Sequence, residues 1–366
     1  MPKTVFQGIR ISGIAGAVPK TIIENRSFVD QIGEKAVEKV IKNSGVERFH
    51  KSVRRQTAGD LSYVAAKELI EKKKIDLSEV GLIVNITETP DYIAPSTAFV
   101  IHKRLGLPND CIAFDVNLGC TGFVYGINIA ASMLSSFTQK KYAIITVGDV
   151  GKYCITDSRK NPDNTYLMMM GDGCAAALIE KTDTPSKIVI DLYADSKDFR
   201  VLHTMGGTRC VDVESVVTTW SDGIDRSPLD PYMDGMAVFS FATRTVPQSI
   251  RQIMEERNET FEDYSKVYFH QANKMIVDRL GKILNIPEGK VATSLKEYGN
   301  TNGASIPFTI MADMDRDSGA KEKHIMMCGF GVGLSWGIVI ADINPDEVFS
   351  IIESDDIYEE GEFLPF

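Results

Sequence analysis

Some segments of the chain are continuously apolar or alternate apolar and polar residues, as strands do, and others repeat apolar residues at helical spacing. Segments of the two kinds follow one another along the chain. Apolar or alternating runs predict strands at residues 4–16, 80–86, 142–147, 266–269 and 324–342, the last as a strand, a turn and a strand. Apolar residues at helical spacing predict helices over residues 28–42, 57–74, 97–105, 122–134, 232–257, 272–284 and 304–312. Because proline removes a backbone donor, we expect the helix over residues 232–257 to break near Pro247.

Strands and helices alternate in both parts of the chain, which predicts an α/β protein. We expect two halves, residues 1–182 and 183–343, each with a mostly parallel sheet buried between helices. Identity between the halves is too faint to demonstrate a repeat. Residues 344–366 are rich in Asp and Glu, and we expect this acidic tail to be a surface appendage.

Composition narrows the classes of function. The chain has 366 residues, is 43% hydrophobic and carries a net charge of −10, which argues against a nucleic-acid-binding protein. No apolar run approaches the roughly 18 residues of a membrane span, and the N-terminus shows no apolar leader, so we expect a cytoplasmic protein that does not contact membranes. Six cysteines without a CxxC pair predict reduced thiols and no metal site: Cys111, Cys120, Cys154, Cys174, Cys210 and Cys328.

Cys120 is the first candidate for chemistry. It lies in a Gly-Cys-Thr-Gly turn between an apolar strand-like run and a long helix pattern. Small neighbours leave the sulfur accessible, and the positive end of the helix dipole favours the thiolate. The alternative is a buried cysteine that packs as a small hydrophobic residue.

His270 and Asn300 are the candidates for partners of this nucleophile. His270 follows the predicted strand at residues 266–269, and Asn300 lies in a Gly-rich turn before a helix. Parallel strands place ligands at their carboxyl ends, so these side chains and Cys120 can converge on one site. Each also has a structural interpretation, His270 as a core histidine and Asn300 as a residue suited to a left-handed turn.

The glycine-rich loop at residues 329–333 can supply backbone N–H groups to that site. Such donors can hold a developing oxyanion, and one is typically worth about 2.7–4 kcal/mol of barrier. A tight β-turn is the alternative interpretation of the same five residues.

Four segments together resemble β-ketoacyl-acyl-carrier-protein synthase III, the FabH-like branch of the thiolase superfamily. They are AFDVNLGCTGF, HQAN, YGNTNGASIP and GFGVGLSWG, in this order. Three shorter segments match it too: TPDYIAPSTA, MMMGDGCAAAL and the MDG at residues 233–235. The resemblance extends over residues 5–342, nearly the whole chain.

This resemblance implies a thiolase-like, duplicated five-layer α/β/α/β/α fold, a homodimer and a condensation in two half-reactions. Cys120 would take an acyl group from acyl-CoA or an acyl-carrier protein, and malonyl-acyl-carrier protein (malonyl-ACP) would then lose CO2 and attack it. No permanently bound cofactor is implied.

The resemblance also assigns roles to single residues. His270 and Asn300 would assist decarboxylation, and the backbone amides of Cys120 and Val332 would form the oxyanion hole. Phe330 would provide an apolar surround for the carboxylate that is lost. Asn273 would contact the pantetheine arm of the substrate.

The chain departs from well-known members at the donor and acyl sites. Lys39 and Asn43 stand where those members carry the Trp and Arg that hold the adenine of coenzyme A, so the donor, coenzyme A or carrier protein, stays open. Ala94 stands where acetyl-specific members have a bulky aromatic residue. The smaller side chain predicts an acyl pocket that accepts longer or branched chains.

Three other functions fit parts of the pattern. An acyltransferase of the same fold would move the acyl group to an alcohol or amine without decarboxylation. A papain-like cysteine hydrolase also uses Cys, His and Asn, but its local signature is absent. A non-enzymatic binding module would not need the complete set of polar groups.

Overall fold

The structure is a computed structural model that describes residues 3–151, 162–205, 217–314 and 322–361, so Cys154 and Cys210 lie outside the described residues. Its strands are β1 (Lys3–Gln7), β2 (Ile9–Pro19), β3 (Ile22–Glu24), β4 (Arg48–His50), β5 (Val80–Ile86), β6 (Ile112–Val116), β7 (Tyr142–Asp149), β8 (Gly173–Lys181), β9 (Lys187–Ala194), β10 (Leu202–Thr204), β11 (Thr218–Thr219), β12 (Asp225–Arg226), β13 (Pro231–Met233), β14 (Lys266–Phe269), β15 (Lys323–Gly331), β16 (Ser335–Ile343) and β17 (Val348–Ser354). Its helices are α1 (Val29–Ile32), α2 (Glu34–Ser44), α3 (Ala58–Lys73), α4 (Thr97–Leu105), α5 (Gly122–Ser136), α6 (Asn164–Leu167), α7 (Gly235–Arg257), α8 (Lys274–Leu284), α9 (Leu295–Tyr298) and α10 (Ser305–Asp313).

Two large sheets share one topology, which demonstrates the repeat that sequence identity does not reveal. The first sheet has the order β17-β2-β8-β7-β5-β6, and the second has the order β1-β9-β16-β15-β14. Within them, β2-β8-β7-β5 and β9-β16-β15-β14 are equivalent: both run antiparallel, antiparallel, parallel across the sheet. The loops after β5 and β14 therefore hold equivalent positions.

Helices cover and separate the sheets in five layers. On the outer face of the first sheet α3 packs on β2 and β8, while α7 and α8 pack together outside the second sheet, with α7 against β15. Between the sheets, α5 contacts β5 and β7 on one side and β15 and β16 on the other, and α10 contacts β2 and β14. The predicted thiolase-like five-layer fold is confirmed, but the expectation of a mostly parallel sheet in each half is wrong for the second sheet, where, among the described strands, only β14 and β15 pair in parallel and the other pairings are antiparallel.

Each end of the chain contributes a strand to the sheet that is formed mainly by the other half of the chain. The predicted strand over residues 4–16 is two strands, because the chain turns at Gly8, where φ is +66°. β1 then joins β9 in the second sheet, whereas β2 enters the first. Near the other end, β17 runs parallel to β2, and Glu347 just before it binds Arg10 and Lys73. The expectation that residues 344–366 form a surface appendage is therefore wrong for the strand: its apolar residues complete a sheet edge.

Two helix predictions also need correction. α7 is 23 residues long and continues through Pro247. Burial of its apolar face in the hydrophobic core outside the second sheet outweighs the one hydrogen bond that the proline removes. The helix predicted over residues 28–42 is divided into α1 and α2 by Gly33, where φ is +86°. In the part of the chain that the structure describes, no helix is long and apolar enough to cross a membrane.

Candidate active site

Cys120 lies in the turn between β6 and α5, and its sulfur is partly buried. A hydrogen bond of 2.7 Å from the Gly122 N–H to the Gly119 carbonyl closes this turn. Gly331, at the end of β15, lies directly against it: a Cβ atom there would be 2.6 Å from Sγ of Cys120. The nucleophile candidate from the first half is thus enclosed by backbone of the second half.

Hydroxyl groups hold the loop after β15 to the turn of Cys120. Ser335 Oγ donates to the Val332 carbonyl at 2.7 Å, so Thr121 Oγ1, 2.8 Å away, is the donor to Ser335. The backbone amides of Val332 and Cys120 are close enough to the sulfur to lower the pKa of Cys120, which favours its charged form. These are the two amides that the family resemblance assigns to the oxyanion hole.

His270 follows β14 and is buried. Its backbone N–H donates to the Cys328 carbonyl at 2.8 Å, and its Nδ1 lies 2.8 Å from Ser305 Oγ. The ring of Phe330 meets the imidazole edge to face, with centroids 5.5 Å apart. Burial lowers the pKa of His270 to about 4, against a hydrogen bond with the backbone of Asn302, so the imidazole is neutral at pH 7.

Asn300 is held in the loop before α10. Its backbone joins the halves, since its N–H donates to Met169 O at 2.8 Å and its carbonyl accepts from Gly171 N–H at 3.1 Å. Its side-chain Oδ1 accepts from the Asn302 N–H at 2.9 Å, and its Nδ2 lies 3.4 Å from Ala272 O. Cys120, His270 and Asn300 therefore all border Asn302, so the structure brings the three predicted residues together.

Asn302, Glu88 and Asp149 belong to this site but were missed by the sequence analysis. Asn302 Oδ1 accepts from Cys120 Sγ at 3.1 Å, while its Nδ2 donates to Glu88 Oε2 and to Asp149 Oδ2, each at 2.8 Å. Two signals were available: Glu88 and Asp149 stand at the carboxyl ends of β5 and β7, where ligands are expected. Asn302 has a φ of +48°, which Asn tolerates well.

Charge in this cluster opposes ionisation of the thiol. Burial first, and the negative charge of Glu88 next, raise the pKa of Cys120 to about 12, against the two backbone hydrogen bonds. Burial and the charge of Glu88 therefore oppose the helix dipole, whose favourable effect on the thiolate stays a prediction. Burial and the charge of Asp149 raise the pKa of Glu88 to about 7.

The two outer candidates lie away from this cluster of side chains. Asn273 is the N-cap of α8, with Oδ1 accepting from the Ile276 N–H at 2.9 Å, and its role toward pantetheine stays a prediction. Ala94 is exposed on the loop between β5 and α4, and its role in an acyl pocket also stays a prediction.

Comparison with known proteins finds one family along the chain. The family model for 3-oxoacyl-[acyl-carrier-protein] synthase III matches residues 114–197, and the model for its C-terminal part matches residues 254–343. The β-ketoacyl-[acyl-carrier-protein] synthase III of Clostridium perfringens (strain SM101) is 31% identical over 92% of this chain and 99% of its own length. A crystal structure of a 3-oxoacyl-(acyl-carrier-protein) synthase from Burkholderia xenovorans LB400 has a TM-score of 0.86 at 27% identity and covers 96% of this chain and 99% of its own.

Proposed function

Because the chain belongs to the 3-oxoacyl-[acyl-carrier-protein] synthase III family of condensing enzymes, we propose that it joins an acyl group held on Cys120 to a malonyl thioester. In the first half-reaction the thiol takes the acyl group from a thioester donor. In the second, malonyl-acyl-carrier protein loses CO2, and its carbanion attacks the acyl-enzyme to give a β-ketoacyl thioester.

The observation that carries this proposal is the position of two backbone amides, those of Cys120 and Val332, which are close enough to the sulfur of Cys120 to lower its pKa. A thioester carbonyl attacked by that sulfur places its developing oxyanion beside the same two donors. Preorganised amides in such a place stabilise the transition state of acyl transfer.

His270 and Asn300 suit the second half-reaction. A neutral imidazole and an uncharged amide can donate hydrogen bonds to an enolate, whereas a carboxylate in their place would repel it. Phe330, 1% exposed and packed on the His270 ring, gives the departing carboxylate an apolar neighbour. Loss of CO2 relieves the cost of holding that charge in an apolar environment.

Intact-protein mass spectrometry tests the two half-reactions separately. We expect the wild type to gain the mass of an acyl group from a panel of acyl-CoA and acyl-carrier thioesters, and Cys120→Ala to gain none. Addition of malonyl-acyl-carrier protein should clear the acyl group with release of CO2. His270→Ala should still be acylated but should not condense; acylation that clears only with alcohols or amines would contradict the proposal.

We propose an acyl carrier protein as the partner, bound beside Asn273. A groove of about 850 Å³ next to that residue supports this, because its lysines outnumber its acidic residues: Lys42, Lys274, Lys282 and Lys296 against Glu47, Asp278 and Glu288. Carrier proteins present an acidic surface around a phosphopantetheine arm, so Lys282→Glu should raise KM for a carrier-bound donor more than for the same acyl group on N-acetylcysteamine. Asn273→Ala should raise KM for both donors, which share the pantetheine portion that this side chain would contact.

For the acyl group we propose a longer or branched chain, supported by the small side chain of Ala94. Ala94→Phe should shift acylation toward acetyl donors, with Ala94→Gly as the control that keeps the preference.

We also propose a homodimer, because β6 is an edge strand and its residue Ile112, like Ile93 and Phe99 nearby in sequence, is exposed. Light scattering should give twice the chain mass, and Ile112→Lys should give one chain mass. The free cysteines among the described residues support the cytoplasm as the compartment.

A further inference from the structure

Two carboxyl groups lie beside the nucleophile, and the second half-reaction described above uses neither. Glu88 follows β5 and Asp149 ends β7, and both bind the amide of Asn302, whose other end meets the thiol of Cys120. Gly119 makes room for this arrangement: a Cβ atom there would lie 2.5 Å from Glu88 Oε2 and 2.7 Å from Asn302 Nδ2. The site is therefore built around the carboxyl group.

The carboxyl groups fix the orientation of the Asn302 amide. Each of the two hydrogens on Nδ2 goes to one carboxyl oxygen, and the reverse orientation would set Oδ1 against both. Oδ1 must therefore face Cys120, and because an amide oxygen only accepts, the sulfur must donate. The free enzyme thus holds Cys120 as a thiol, and a base has to remove its proton before the sulfur attacks.

The two carboxyl groups differ in what surrounds them. Asp149 is buried and accepts four hydrogen bonds, from Thr87 Oγ1 at 2.9 Å, Glu88 N–H at 2.7 Å, Thr89 Oγ1 at 3.2 Å and Asn302 Nδ2. Burial raises the pKa of Asp149, and these four donors oppose that rise by favouring the carboxylate. Glu88 accepts a single hydrogen bond, from Asn302, so fewer donors hold its charge and it can gain and lose a proton as a substrate arrives.

His270 is less suited to remove the thiol proton. It is 1% exposed, its Nδ1 is engaged with Ser305, and burial makes its imidazole a weak base. A group whose pKa lies near 7 is the most effective proton carrier at neutral pH, because it is both a competent base and a competent acid. Glu88 has that property, and it faces the same amide as the sulfur.

We propose that Glu88 is the general base and acid of the acylation half-reaction, an inference that rests on the proposed function. Its carboxylate takes the proton of the Cys120 thiol, directly or across one water molecule, as the sulfur bonds to the thioester carbonyl carbon. The tetrahedral intermediate then breaks the bond between that carbon and the donor sulfur. Glu88 returns the proton to the departing thiolate, so an acyl thioester and a thiol give a new acyl thioester and a new thiol.

The test compares the wild type with Glu88→Gln, Glu88→Asp and the matched control Glu353→Gln, an exposed glutamate on β17. Rapid-quench acylation is followed by intact mass from pH 5 to 9, and alkylation of Cys120 by iodoacetamide is followed over the same range without any thioester. We expect wild-type acylation to rise with an apparent pKa near 7 and Glu88→Gln to lose that rise with a rate at least about 10²-fold lower. Glu88→Asp should keep the rise at a reduced rate, and Glu353→Gln should match the wild type.

Alkylation separates this role from a structural one. Glu88→Gln removes a negative charge near the sulfur, which lowers the pKa of the thiol, so alkylation at each pH should be faster than in the wild type even though acylation slows. A Glu88→Gln variant that acylates at the wild-type rate with the wild-type pH profile overturns the role of Glu88 alone. A wild type that accepts no acyl group from any donor overturns the proposed function instead.

Discussion

Asn302 Oδ1 lies 3.1 Å from the sulfur of Cys120 and accepts its thiol hydrogen, although the two residues are 182 positions apart in the chain. The same amide binds Glu88 and Asp149, so one side chain links the nucleophile to two acidic groups. Both the protonation of the thiol and the stability of the site depend on this residue.

Asn302→Asp places a third carboxyl group against Glu88 and Asp149. The three groups then repel one another when ionised, so their pKa values rise on folding, and the unfolded chain loses protons first as the pH increases. We expect the free energy of unfolding to fall by about 3–5 kcal/mol at pH 8 and by less at pH 5. Urea denaturation at both values measures it.

Asn285→Asp is the matched control for this change, because Asn285 has a φ of +54° at the exposed end of α8. Equal losses in the two variants would mean that the left-handed backbone, and not the acidic cluster, causes the effect.

Gly331→Ala should block acylation of Cys120. The added Cβ atom would lie 2.5 Å from Cys120 Cβ and 2.6 Å from Sγ, so the nucleophile or the loop with Val332 must move. Displacement of about 1 Å can cost about 10² in rate, and we expect at least that loss in the mass-spectrometric acylation assay. Gly235→Ala, at a glycine with open space around it, should leave the rate unchanged.

The buried imidazole of His270 should make the folded state sensitive to acid. Its pKa falls on folding from 6.5 to about 4, so the unfolded chain binds the proton first as the pH decreases. We expect this residue to lower the free energy of unfolding by about 3 kcal/mol between pH 6.5 and pH 4. The pH dependence in His270→Gln should be shallower by that amount, whereas a slope equal to that of the wild type would contradict a neutral imidazole.

A buried ion pair supports the start of β8. Lys51 Nζ lies 2.8 Å from Asp172 Oδ1, and Asp172 also accepts from Ser52 and from the Gly151 N–H. Asp172→Asn leaves the lysine charge buried without a counter-ion, so we expect a loss of about 3–5 kcal/mol in urea denaturation.

The pair of Lys20 with Asp355 is the exposed comparison, with 55% and 73% of the two side chains accessible. Asp355→Asn should cost about 0–1 kcal/mol. Similar losses for the two substitutions would show that the lysine at position 51 finds another partner or water.

The sequence predicted Cys120, His270 and Asn300 because each follows an apolar run at a strand end or stands beside glycines. The same rule applied to β5 and β7 would have found Glu88 and Asp149, but a carboxylate in a polar loop is commonplace. No local pattern reveals that such loops meet. Asn302 was missed because the motif YGNTNGASIP contains two asparagines, Asn300 and Asn302, and the predicted site needed only one.

Long-range packing explains the other differences. Pro247 removes one backbone hydrogen bond from α7, and that loss can be read from the local sequence. The burial of the apolar face of α7, which compensates for it, depends on distant residues and cannot. The strand β17 was missed because the acidic residues around it dominate the composition of the tail. Its partner β2 lies more than 300 residues earlier, beyond any local signal.

β1 comes from the start of the chain but pairs in the second sheet, and β17 comes from its end but pairs in the first. These two strands therefore link the two halves. Removing either half would strip the other of an edge strand and expose the hydrogen-bonding groups of β9 or β2 to water or to other chains. The duplicated units therefore do not behave as separable domains. Heat or denaturant should melt them in one cooperative transition, and a gene fragment that encodes one unit should yield an aggregation-prone chain.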